Sequence, residues 1–199
     1  MEILFKILIY SGIFIITFRV LRYLTTPLFK KIGIYNYYSN MFFTVSIFYK
    51  LKEIHLGTSW DFFKIRKVNP KKLLIYLAEG LTNLSTDVEN GYISPDTTFR
   101  GIIYYMKPKT IENFGFKVQK LNIVDMLLFG INYFELCFLI SLSRKKLSYV
   151  KLNNISRIKC KAYELIRNKC KYEDILAKLN RDNELQHYHK KYYPIKKSA

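Results

Sequence analysis

The feature that most constrains this chain is its first apolar run. Residues 7–18 (ILIYSGIFIITF) carry no charge, and Lys6, Arg19 and Arg22 flank them. A helix that crosses a bilayer needs roughly 20 mostly apolar residues. Residues 3–20 nearly supply them once the Lys6 ammonium snorkels towards the head groups. A cleaved leader would end in a small-x-small site. Here bulky residues (VLRYL) follow instead. The run is therefore expected to be an uncleaved anchor.

Two later stretches compete for the membrane. Residues 32–49 (IGIYNYYSNMFFTVSIFY) also lack charge, but Asn36, Asn40 and several tyrosines make them more polar. Tyrosine is enriched at lipid–water interfaces. This stretch is expected either to pair with the first run as a membrane hairpin or to be an amphipathic segment, with Thr25, Thr26 and Pro27 breaking the chain between the two. Residues 121–142 are the most apolar outside the N-terminus, yet include Asp125, Asn132 and Glu135. A charge at the bilayer centre costs roughly 2.5–3.5 kcal/mol on insertion scales. Spacings of seven and three put these polar residues on one helical face, the pattern of a core or interfacial helix with one wet stripe.

Charge sets an orientation. Arg19, Arg22, Lys30 and Lys31 follow the first run, and Arg144, Lys145 and Lys146 open the basic C-terminal region. Cytoplasmic flanks are rich in Lys and Arg. A single span places both basic regions in the cytoplasm. The net charge is +18, from 33 Lys and Arg against 15 Asp and Glu. That excess favours anionic partners: lipid head groups, nucleic acid or acidic proteins. An AT-rich coding bias accounts for part of the lysine content but not for the scarcity of acids.

With 17 Tyr and 15 Phe, the chain has ample apolar surface to bury. The cysteines, Cys137, Cys160 and Cys170, are odd in number and widely spaced. They describe no disulfide framework and agree with a reducing compartment.

The organisation expected is α+β, in three parts. Residues 1–49 form an N-terminal transmembrane helix with the second hydrophobic segment beside it. Residues 50–142 form a small α+β domain. Residues 143–199 form a basic helical tail with a disordered end (187–199). In the domain, Asn69 and Pro70 mark a helix start, and Leu73, Leu77, Leu81, Leu84 and Val88 follow at helical spacing up to Asn90 and Gly91. Residues 97–106 and 116–121 suit strands, with a helical turn from Thr110 to Asn113 between them. The core expected is this two-stranded hairpin, or a larger sheet, covered by helices 70–90 and 121–142. In the tail, Ile158, Ala162, Leu165, Tyr172, Leu176 and Leu179 recur at helical steps. The helix is too interrupted for a coiled coil.

Candidate chemistry is sparse. His55, Ser59 and Asp61 share one short segment (HLGTSWD) and are the residue types of a nucleophile, its base and an orienting acid. Triads are normally assembled from distant segments, and no G-x-S-x-G elbow is present. The competing structural role is a helix start near Trp60, capped by Thr58 or Ser59, with Asp61 in its first turn. Trp60, the only tryptophan, suits a core or an interface. Glu79, Asn83 and Asp87 line one helical face; a solvated face explains them better than an acid–base pair. Asp87, Glu89 and Asp96 lack calcium-loop spacing. Cys160, Cys170, His187 and His189 match no zinc pattern, since one helix would hold the two thiols about 15 Å apart. No phosphate-binding glycine loop occurs. No metal and no cofactor are expected.

Three functions fit these features. The first is a membrane-anchored, non-enzymatic protein whose basic cytoplasmic region (Arg144, Lys145 and Lys146 foremost) binds anionic lipid head groups, or a protein partner through the C-terminal helix. The second is a membrane-bound hydrolase or transferase acting on a lipid or envelope precursor, with His55, Ser59, Asp61 and Glu79 as its catalytic residues. The third is a nucleic-acid binder using the tail and the basic run of Lys64, Arg66, Lys67, Lys71 and Lys72.

Overall fold

The computed structural model describes residues 2–65, 69–152 and 155–192, and side chains among them except those of residues 8, 143 and 181–192. Arg66 and Lys67 of the basic run, the His187 and His189 side chains, and the end of the tail beyond residue 192 lie outside the described residues.

The chain begins with helix α1 (Glu2–Lys31). Strands β1 (Tyr35–Tyr37), β2 (Phe42–Phe48) and β3 (Leu51–Leu56) follow as a meander. Helices α2 (Ser59–Lys64) and α3 (Pro70–Glu89) then carry the chain across to β4 (Thr98–Ile103), which pairs with β3 in parallel. Such a parallel pair requires a crossover of this kind. Helix α4 (Pro108–Asn113), β5 (Lys117–Gln119), helix α5 (Ile123–Arg144), β6 (Ser156–Lys161) and helix α6 (Ala162–Tyr192) complete the chain. The strands form one six-stranded sheet in the order β1-β2-β3-β4-β6-β5.

Period-two patterning decides which face of this sheet is buried. Phe99 and Ile103 on β4 and Ile158 and Cys160 on β6 point into the core, while Arg100, Arg157 and Lys159 alternate to the other side. The buried face meets α3 through Leu77, Leu81, Leu84 and Val88, and α6 through Ala162, Leu165 and Tyr172. The Tyr172 hydroxyl donates to the Phe114 carbonyl at 2.7 Å, so even this deep phenol has a partner. A second core lies between α2, α3 and the C-terminal half of α5. It contains Met41, Phe62, Leu73, Leu139, Ile140 and Val150.

Helix α3 starts where the sequence indicates: the Asn69 side chain accepts from the Lys72 amide at 2.8 Å, with Pro70 in the first turn. Several other expectations are corrected. The sheet has six strands, not a hairpin. Residues 32–49 enter it as β1 and β2 rather than as a second hydrophobic helix beside the first. Their aromatic and β-branched residues suit a pleated surface, and Gly33, at φ +78°, ends α1 before them. The strands at 97–106 and 116–121 do not pair with each other, because β6 sits between β4 and β5. Residues 143–199 are therefore not a separate helical tail: β6 is integral to the sheet, and α6 packs against α3. Ile158 and Ala162 fit a helical step, but Ile158 belongs to the strand. The turn after β4 begins with Pro108, and Thr110 lies inside it.

Candidate functional site

Helix α1 is about 45 Å long at 1.5 Å per residue, and only its second half touches the domain. Before Arg19, Ile3, Leu4, Phe5, Ile13, Phe14 and Phe18 are all exposed. Beyond it, Thr26 is buried, Phe29 meets Tyr35 edge to face, and the Lys30 ammonium lies 3.8 Å from the centre of the Tyr37 ring. The helix runs through Pro27, where the sequence suggests a break. Proline has no N–H to donate to the carbonyl four residues back, which is that of Tyr23. Trp60 supplies the missing donor: its indole Nε1 donates to the Tyr23 carbonyl at 2.8 Å, and its ring stacks on Tyr23 with centroids 4.6 Å apart.

Where α1 leaves the domain, it is clasped to α5. Glu135 accepts from Arg19 at 2.5 Å, from Arg22 at 2.6 Å and from Ser59 Oγ at 2.7 Å. Arg22 also donates to Asn132 Oδ1 at 3.2 Å, and Arg19 to the Ile131 carbonyl. One carboxylate thus joins α1, α2 and α5. The groups are partly shielded, so the expected cost of Glu135→Ala is that of stranding charge-assisted bonds, about 2 kcal/mol. Thermal unfolding in a non-ionic detergent measures it.

Helix α5 is tied to the domain at both ends. At its start, Asp125 pairs with Arg157 of β6 at 2.9 Å. Towards its end, Leu139 and Ile140 are buried in the second core, and Tyr133 donates to the Val150 carbonyl at 3.0 Å. The polar residues Asp125, Asn132 and Glu135 all face inward to partners, as their spacing suggests. The outer face is apolar and bare: Val124, Leu127, Leu128, Ile131, Phe134 and Phe138 are exposed. Arg144, Lys145 and Lys146 close it with exposed positive charge, and exposed Leu147, Tyr149 and Leu152 follow. Helices α1 and α5 are both long and apolar enough to cross a membrane.

Three of the four residues considered for catalysis have separate partners. His55, on β3, stacks on Phe43 and lies 3.5 Å from Glu53. Ser59 belongs to the clasp. Asp61 is buried and accepts from the Thr58 amide and hydroxyl, both at 2.8 Å, and from the Tyr37 hydroxyl at 2.6 Å. It completes a capping box with Thr58, one of the two caps expected from sequence; Ser59, the other, is the first helical residue. Glu79 stands on α3, its carboxyl raised by partial burial. Cys160 is buried on β6 and Cys170 exposed on α6. Arg19 and Arg22 read in sequence only as flanking charge; Glu135 lies over a hundred residues away, so no local pattern reveals their contact.

The Glu53 carboxyl is held below its ordinary value of 4.5, chiefly by the hydrogen bond from His55 and against the effect of burial; His55, Arg100 and Arg157 add attraction. A carboxyl lowered by folding stabilises above its unfolded pKa, and that contribution is lost as pH falls through the folded value. Melting temperature is accordingly expected to fall below about pH 4.5, and Glu53→Gln to flatten that fall.

No protein family, no curated protein and no solved structure matches this chain. Its function is therefore read from this geometry alone.

Proposed function

We propose that this is a membrane-anchored, non-enzymatic protein whose basic cytoplasmic region binds anionic lipid. One observation carries the reading: two bare apolar helical surfaces, on α1 and α5, meet at a single ionic clasp on an otherwise well-packed domain. Exposed apolar area on this scale marks an interaction surface. In this reading the first half of α1 enters the bilayer, and Arg19, Arg22, Lys30 and Lys31 stay on the cytoplasmic side with the domain. Arg144, Lys145 and Lys146 lie at the head groups, each contributing about 1 kcal/mol near an anionic surface.

Lipid is favoured over a protein partner on the C-terminal helix because Ala162, Leu165 and Tyr172 of α6 are already buried against the domain. The hydrolase or transferase reading finds less support, since His55, Ser59 and Asp61 are engaged in separate structural contacts. Nucleic-acid binding rests on charge alone.

Flotation with vesicles tests the proposal. The full chain should float with vesicles and resist both high salt and alkaline carbonate. A chain starting at Arg19, which keeps the clasp and all six strands, should float more weakly and depend on phosphatidylserine. If neither floats, the reading is wrong.

A further inference from the structure

The face of the sheet turned away from α3 and α6 gathers positive charge from distant parts of the chain. On β4, Arg100 stands opposite Lys159 of β6, and Lys159 in turn stands opposite Lys117 of β5. Arg157 lies two residues along β6, opposite Gln119. Arg100, Lys159, Arg157 and Gln119, together with Lys50 and Thr98, line a cleft of about 470 Å³. That is the size of a small-molecule site, and no acidic residue lines it.

Like charges directly opposite across a sheet are destabilising. The row Arg100–Lys159–Lys117 therefore costs the isolated fold energy. Carboxylates outside the cleft offset it only in part. Asp125 holds Arg157 at 2.9 Å, but Glu53 is 3.8 Å from Arg100 and Asp96 is 4.0 Å from Lys50. Among the described residues, Lys159 and Lys117 have no acidic partner.

We propose that this cleft binds a phosphorylated ligand. Arginine matches phosphate oxygens with two parallel N–H bonds, and lysine adds a point charge. Arg100 and Lys159 hold the phosphate from adjacent strands. Thr98 and Gln119 contribute neutral hydrogen bonds at the two ends. Lys50 and Arg157 complete the positive field. A second phosphate fits the remaining volume, so a pyrophosphate-like or multiply phosphorylated group suits the site best. The phosphate can belong to a soluble compound or to a lipid head group, and the cleft is separate from the apolar face of α5.

The test uses the full chain in maltoside detergent, with inorganic pyrophosphate as probe and calorimetry as readout. Wild type should bind, and Arg100→Gln with Lys159→Gln should lose at least tenfold in affinity. Lys107→Gln with Lys109→Gln, at the start of α4, removes the same charge elsewhere and should change binding less than twofold. Lys159→Gln alone, expected to weaken binding several-fold, guards against a folding defect in the double variant. No binding by wild type, or equal losses in the two double variants, overturns the proposal. A second arm identifies the source of the phosphate. If Arg100→Gln with Lys159→Gln also weakens binding to phosphatidic acid vesicles, with phosphatidylserine vesicles unaffected, the ligand is a lipid head group. If only pyrophosphate binding falls, it is a soluble compound.

Discussion

Gly80→Ala is expected to destabilise the domain by about 3 kcal/mol, the upper part of the range for overpacking a core. Helix propensity alone predicts the opposite sign, because alanine is favoured over glycine by about 1 kcal/mol within a helix. Packing decides it. Helix α3 crosses β2 so closely that a Cβ on Gly80 would lie 2.3 Å from Phe42 Cδ1, 2.4 Å from its Cγ and 2.6 Å from its Cβ. Phe42 is 0% exposed, so its ring has no solvent to swing into. Phe42→Ala alone should cost about 3–5 kcal/mol through the cavity it leaves. In the double variant the new methyl occupies part of that cavity. The double variant should therefore be no less stable than Phe42→Ala, a strongly non-additive result. Urea unfolding of the four proteins measures the cycle. A Gly80→Ala protein more stable than wild type would contradict the close approach of α3 to β2.

The second large effect is on membrane binding. Leu127 and Phe134 of α5 are 65% and 80% exposed, so Leu127→Glu with Phe134→Glu should leave the fold nearly unchanged. In lipid, each of these side chains contributes roughly 1.5–3 kcal/mol by leaving water. Losing both should weaken vesicle binding of the chain starting at Arg19 by about 10²- to 10⁴-fold. Flotation and circular dichroism on the same samples separate the two effects. Unchanged flotation would mean that α5 does not touch lipid.

The sequence carried local structure better than pairing. The Asn69–Pro70 cap, the leucine stripe of α3 and the wet stripe of α5 are all read from short windows, and each is formed. Strand β6 was hidden because its outward positions are basic and one of its buried residues, Ile158, also fits a helical step to Ala162 in α6. Strands β1 and β2 were hidden for a different reason. Their uncharged, aromatic composition suits an interface as well as a sheet, and only the turn at Gly33 and the period of two tell them apart. Contacts between distant residues were not legible at all. The Trp60 bond to Tyr23 has a local cause in Pro27, but its donor comes from another element. The clasp of Arg19, Arg22 and Glu135 requires α1 and α5 to be neighbours. The basic cleft exists only because the strand order brings β4, β6 and β5 side by side.

We propose that α1 enters the bilayer while α5, tied to the domain by Asp125 at its start and by Leu139 and Ile140 near its end, lies along the bilayer surface. Quenching by brominated lipids tests this most directly. Tryptophan is placed singly at Phe14, Leu127, Phe134 and Leu142 in a Trp60→Phe background, and its depth is read from bromines at different positions on the acyl chain. Leu127 and Leu142 are about 22 Å apart along the helix axis. The expected result is a deep signal at Phe14 and equal, shallow depths at Leu127, Phe134 and Leu142. Depths on α5 that change steadily by about the full 22 Å, or no quenching at any of the four positions, would contradict it.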